Sequence, residues 1–122
     1  MKDVDLLKKR FKDFALDVVK FAEMLPSEKS FKVVANQIMR SSTSTAANYR
    51  AASRGRSRPD FRAKLGIVEE ELDETMFWLE FIVGLSESYR EPITPLWKEA
   101  NELLSITVAS IKTSKKNTPP PK

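Results

Sequence analysis

Residues 61–82 read FRAKLGIVEEELDETMFWLEFI. Within this stretch Phe61, Leu65, Val68, Leu72, Thr75, Leu79 and Ile82 recur at steps of four and three. Side chains at that spacing share one face of an α-helix and repeat as a heptad. Ile67, Phe77, Trp78 and Phe81 stand off this seam and widen the apolar stripe. A helix with more than one apolar face needs more than one neighbour. Trp78 and Phe81 are therefore candidates for a contact between subunits.

Upstream, Ser57-Arg58-Pro59-Asp60 offers an N-cap serine, a proline in the first turn and an acid at the capping-box position. The third helix is expected from there to about Leu85. Three further segments carry the helical period. Leu7, Phe11, Phe14, Val18, Ala22 and Leu25 line one face of a first helix that Pro26 ends. Lys8, Lys9, Lys12 and Asp13 lie around its other side. Ser27 or Ser30 is the expected cap of a second helix running from about Glu28 to Ser53. Its face is Phe31, Val34, Ala35, Ile38, Ser42, Thr45, Ala46, Tyr49 and Ala52. The small residues of its second half let a neighbouring backbone approach closely. Gly55 suits a left-handed C-terminal cap. Thr94-Pro95 is expected to open a fourth helix, with the stripe Leu96, Ala100, Leu103, Leu104, Thr107, Val108 and Ile111.

Short connections between long helices make neighbours antiparallel. The expected fold is all-α, an antiparallel up-down-up-down four-helix bundle over residues 1–114. Residues 115–122, polar and proline-rich, are expected to be a disordered tail. The chain has 122 residues and three glycines, too few turn-formers for a hairpin-rich β fold. No apolar run approaches the roughly 20 residues of a membrane span. The start Met1-Lys2-Asp3-Val4-Asp5 lacks the pattern of a secretory signal, so a cytoplasmic protein is expected.

Charge is segregated. Residues 28–58 carry seven bases against one acid, and residues 59–91 carry nine acids against three bases. In an antiparallel pair Arg40 falls level with Leu72, within reach of Glu71 or Glu74. Mutual neutralisation is one reading, with Arg40, Asn48, Glu71 and Glu74 as a polar network between helices or subunits. A nucleic-acid surface is the other. Arg50 and Arg54 share a helical face, Arg56 and Arg58 continue it, and Lys112, Lys115 and Lys116 add a second cluster.

Catalytic constellations fail. The chain has neither histidine nor cysteine. Ser-His-Asp and Cys-His arrangements are excluded, and zinc loses its commonest ligands. Glu70, Glu71 and Glu74 lack the Glu-x-x-His partners of di-iron bundles. Ser41-Ser42-Thr43-Ser44-Thr45 has no glycine-rich loop beside it, and close helix packing accounts for it. No enzyme activity, cofactor or metal is expected. Self-assembly is the favoured role, with nucleic-acid binding the alternative.

The run Arg40-Ser41-Ser42-Thr43-Ser44-Thr45-Ala46-Ala47-Asn48-Tyr49-Arg50-Ala51-Ala52 resembles a known family. So do Arg56-Ser57-Arg58-Pro59-Asp60-Phe61, Lys64-Leu65-Gly66-Ile67, and Glu69-Glu70-Glu71-Leu72-Asp73-Glu74 through Trp78-Leu79-Glu80. These are the bacterial four-helix-bundle proteins first noticed as products of intervening sequences in 23S ribosomal RNA genes. The accessory protein of diversity-generating retroelements looks like a relative. The resemblance implies a four-helix bundle, a ring-shaped homopentamer and a cytoplasmic protein without a known enzymatic activity. Retroelement relatives bind nucleic acid, RNA or DNA, and contact a reverse transcriptase.

Overall fold

The computed structural model describes residues 2–116. Four helices account for almost all of them: α1 (Lys2–Glu23), α2 (Lys29–Ser53), α3 (Arg58–Leu85) and α4 (Arg90–Lys116). A short 3-10 turn, Glu87–Tyr89, joins α3 to α4. Lys115 and Lys116, expected in the tail, are helical and end α4. The rest of the expected tail, residues 117–122, lies outside the described residues.

Side-chain contacts fix how the helices run. Phe11 stacks on Tyr49 at 4.4 Å between ring centres. Ser41 meets Thr75 at 2.8 Å. Arg62 reaches Ser114, and Trp97 reaches Glu80. Along each sequential pair, higher numbers on one helix meet lower numbers on the next. The helices therefore alternate in direction, and α1 also packs against α4 to close the bundle.

The heptads supply the core. Phe11, Val18, Ile38, Leu65, Val68, Leu72, Leu79, Ile82, Ala100 and Leu103 are completely buried. Full burial of one such large aliphatic side chain contributes about 1.5–3 kcal/mol. Burial also extends to hydroxyls. Each hydroxyl has one proton. Ser41 and Thr75 share one hydrogen bond of 2.8 Å, and each also has a carbonyl of its own helix in reach, Ile38 at 3.3 Å and Glu71 at 2.8 Å. Thr45 and Thr107 donate to the carbonyls of Ser41 and Leu103. Small side chains bring α2 and α3 close, and these bonds satisfy the polar atoms enclosed there.

Four local expectations need correction. Neither Ser27 nor Ser30 caps α2; Glu28 occupies the cap position without a side-chain bond, and Ser30 is already helical. Gly55 is not left-handed. Glycine fits there because a Cβ would sit 3.0 Å from the Ala52 carbonyl and 3.1 Å from Asp60 Oδ2. Ser57 does cap α3, accepting from the Asp60 N–H at 3.2 Å, but Asp60 accepts from the Arg56 N–H rather than closing the capping box. Finally, α4 starts at Arg90, and Pro95 is its sixth residue. Tyr89 packs between Phe21 and Phe31, and Ile93 is buried. That packing anchors the start of α4 one turn before Thr94. Thr94 donates to the Arg90 carbonyl instead of capping. The proline leaves the Glu91 carbonyl without its usual helical donor, a fault most easily borne near a helix start.

Candidate functional site

Two surfaces stand out, and the first is the outer side of α3. Phe77, Trp78 and Phe81 form a triangle of rings with centres 4.9, 5.6 and 5.9 Å apart. Edge-on and tilted contacts of this kind are favourable for aromatic rings. Phe77 is 52% exposed and Phe81 43%. Ile67 and Leu85 are also exposed along the same helix. Trp78 differs from its neighbours. It leans on the core, and its indole N–H donates to Glu74 Oε2 at 3.1 Å. Phe77 belongs to the patch as much as Phe81, whereas the heptad spacing points to Trp78 and Phe81. A residue's offset from the seam gives its direction, but not whether its ring folds back onto the core.

Glu74 links this patch to α2. Arg40 pairs with Glu71 at 3.2 Å and with Glu74, as the antiparallel register requires. Burial works to raise the Glu74 pKa, but hydrogen bonds from Arg40 and Trp78 and the Arg40 charge together hold it below the ordinary 4.5. Arg40 is half exposed, so the pair behaves as a surface bridge rather than a buried one. Asn48 stands apart from it within the subunit, donating to the Ser44 carbonyl and hydroxyl of its own helix.

The second surface is the end where α2 turns into α3. Residues 3–12, 43–68 and 106–116 lie toward this end and carry thirteen bases against three acids. The other described residues, 13–42 and 69–105, carry fourteen acids against six bases. The antiparallel fold thus converts charge sorted by helix into charge sorted along the bundle axis. Of the four bases within α2, only Arg40 reaches the acids of α3. Arg50 and Arg54 instead border a groove of about 510 Å³ against α1, floored by Ala46 and Ala47. Lys8, Lys9 and Lys12 form its far wall. Lys8 pairs with Asp5 and Lys9 with Asp13, both near the surface, with Lys8 partly covered. Among the described residues, Lys12, Arg50 and Arg54 have no acidic partner. The Arg56 backbone is held by Asp60, and Arg58 flanks it at the N-terminus of α3. Lys112, Lys115 and Lys116 are exposed at the end of α4, the last two in its final turn, where they complement the helix dipole.

One cross-helix cluster escaped the sequence patterns. Arg10 of α1 grips Glu99 with two bonds of 2.7 and 2.8 Å and pairs with Glu102 at 2.8 Å. Hydrogen bonds to Glu99 and Glu102 raise the Arg10 pKa further above its ordinary value. No local motif predicts a contact across 89 positions. Its form is a clamp between the first and last helices, with no group poised for chemistry. Among the described residues there is no cluster of three or more acids able to hold a metal, and no helix is long and apolar enough to cross a membrane.

The bundle finds a counterpart among known proteins. The sequence profile of 23S rRNA-intervening sequence proteins matches residues 2–109. The chain belongs to this family. A crystal structure of a family protein of unknown function is similar, from the S23 ribosomal protein family of Bacteroides thetaiotaomicron. It shares 33% identity and a TM-score of 0.82, and the alignment covers 92% of this chain and 99% of that one. No curated protein matches. The four-helix architecture expected of the family is present here, with four helices and no strand among the described residues.

Proposed function

We propose that this member of the intervening-sequence family is a non-catalytic, self-assembling scaffold or adaptor, joined through the outer side of α3. The observation that carries this is the half-bare ring cluster of Phe77 and Phe81, three aromatic rings with Trp78 gathered on one helix face. Rings this exposed leave apolar area in water, and a second copy would remove it. Gly66 and Gly84 support the same face. They fall in line with Phe77 along α3, at eleven and seven residues from it. A Cβ at either would meet nothing within 4 Å inside the subunit. Glycine inside a helix costs about 0.5–1 kcal/mol relative to alanine. Close approach of another backbone would account for it. A ring-shaped homopentamer in the cytoplasm is the form the family resemblance suggests. Light scattering should give a mass several times 13.9 kDa. Phe77→Ser with Phe81→Ser should return it to the single-chain mass with helicity intact. A wild-type monomer at micromolar concentration would rule the scaffold out.

A second reading, a nucleic-acid-binding accessory factor, is favoured by the cations of Arg50 and Arg54, which the fold leaves unneutralised. Affinity for DNA or RNA should fall steeply with salt. No binding at about 50 mM salt would eliminate it.

A further inference from the structure

We infer that the basic end of the bundle, centred on the α1–α2 groove, grips the phosphate backbone of nucleic acid by charge alone, with the aromatic side of α3 left free to assemble. This rests on the second reading above and specifies its site and mode.

Three observations carry it. First, α1 contributes as much as α2. Lys8, Lys9 and Lys12 face Arg50 and Arg54 across one groove, bringing together five cations from α1 and the C-terminal end of α2 with its cap. The loop and the ends of α3 and α4 add more at the same end. The pairs Lys8–Asp5 and Lys9–Asp13 lie at the surface, where such bridges are weak and exchange readily for phosphate.

Second, the groove has a floor of alanine methyls and no aromatic lining. Proteins that prefer single strands stack bases on aromatic rings. Nothing here offers that platform. Phosphates can approach the alanine floor closely, and Lys12, Arg50 and Arg54 are free to meet them. Recognition is then indifferent to sequence and tolerates duplex as well as single strand.

Third, the acids are collected at the other end. The field of the whole molecule turns the basic end toward a polyanion and repels the acidic end. Phe77, Phe81 and Leu85 lie in the C-terminal half of α3, the acidic half. The ring cluster thus lies away from the α1–α2 groove, and only the Gly66 and Ile67 end of the assembly face falls in the basic half. An assembly presents several basic ends at once, which raises affinity for long nucleic acid through multivalency.

The test is fluorescence anisotropy with a mixed-sequence DNA duplex of about 20 base pairs and its single strand, from about 50 to 200 mM salt. Lys12→Glu, Arg50→Glu and Arg54→Glu are combined in one variant. Lys29→Glu, Lys32→Glu and Lys98→Glu make a control with the same change in net charge toward the acidic end. All six positions are exposed, and circular dichroism checks the fold. The groove variant should lose at least about tenfold in affinity, and its log–log salt slope should be shallower by about three. The control should lose several-fold less. Equal loss in both variants would overturn the site and leave the second reading standing. So would loss confined to Lys112→Glu, Lys115→Glu and Lys116→Glu. A marked preference for the single strand would overturn the charge-only mode. Wild-type protein that binds neither probe would remove the second reading itself. Light scattering of the complex should retain the assembled mass; dissociation on binding duplex would overturn the separation of the two surfaces.

Discussion

The two sides of α3 are built from similar side chains and have opposite fates. On the inner side Leu65, Val68, Leu72, Leu79 and Ile82 are fully buried. On the outer side Ile67, Phe77, Phe81 and Leu85 remain 37–52% exposed. Hydrophobicity alone does not separate them. The seam at steps of four and three decides which side its neighbours α2 and α4 can cover, and the remainder has no cover within one chain. Burial stabilises the inner side in the single subunit. Whatever the outer side contributes awaits a second surface.

That contrast can be broken from within. Leu72→Ala should destabilise the fold by about 2–5 kcal/mol in urea unfolding, because it opens a cavity in a close-packed core. A loss below about 1 kcal/mol would mean the inner side is less tightly packed than its burial indicates. On the outer side, Phe77→Ser with Phe81→Ser should cost the isolated subunit less than half as much, while abolishing assembly. If the single inner change and the outer pair cost the same at concentrations where the protein is monomeric, the distinction between the faces collapses.

Gly84→Ala sharpens the comparison at smaller scale. A bare helix should gain about 0.5–1 kcal/mol from alanine. If another backbone approaches there, the methyl should raise the thermal stability of dilute protein and weaken assembly measured by sedimentation. Gain in both would show that no neighbour comes close at Gly84.

The smallest effect concerns Glu74, which ties the outer rings to Arg40. Its folded pKa is lowered, so its contribution is present above the ordinary value of 4.5 and is lost as pH falls through the lower folded value. Glu74→Gln should therefore reduce the melting temperature by a few degrees at neutral pH. The gap to wild type should close below pH 4.5. A gap that persists in strong acid would assign the effect to packing against Trp78 instead.

Much of this was legible in the order of residues. The heptad of α3, the stripes of α1 and α2, the Ser57 cap and the level of Arg40 with Glu71 and Glu74 follow from helical period and short connections. The start of α4 did not, because Thr94-Pro95 is a strong local signal and the packing of Tyr89 and Ile93 overrode it. The burial of Ser41 was not legible, since a serine adjoining a seam gives no sign of the hydroxyl partner it will find on another helix. Arg10 with Glu99 and Glu102 was equally silent, as a contact between chain ends leaves no local pattern.

Alone, the sequence determined the number and direction of the helices, because period and connection length act through neighbouring residues only. It also made catalysis by histidine or cysteine impossible. The tertiary structure decided which apolar residues stay wet and which cations stay unneutralised. It turned a charge difference between two helices into one between the two ends of the bundle. Those outcomes depend on distances between segments far apart in the chain, and such distances exist only once the helices have packed.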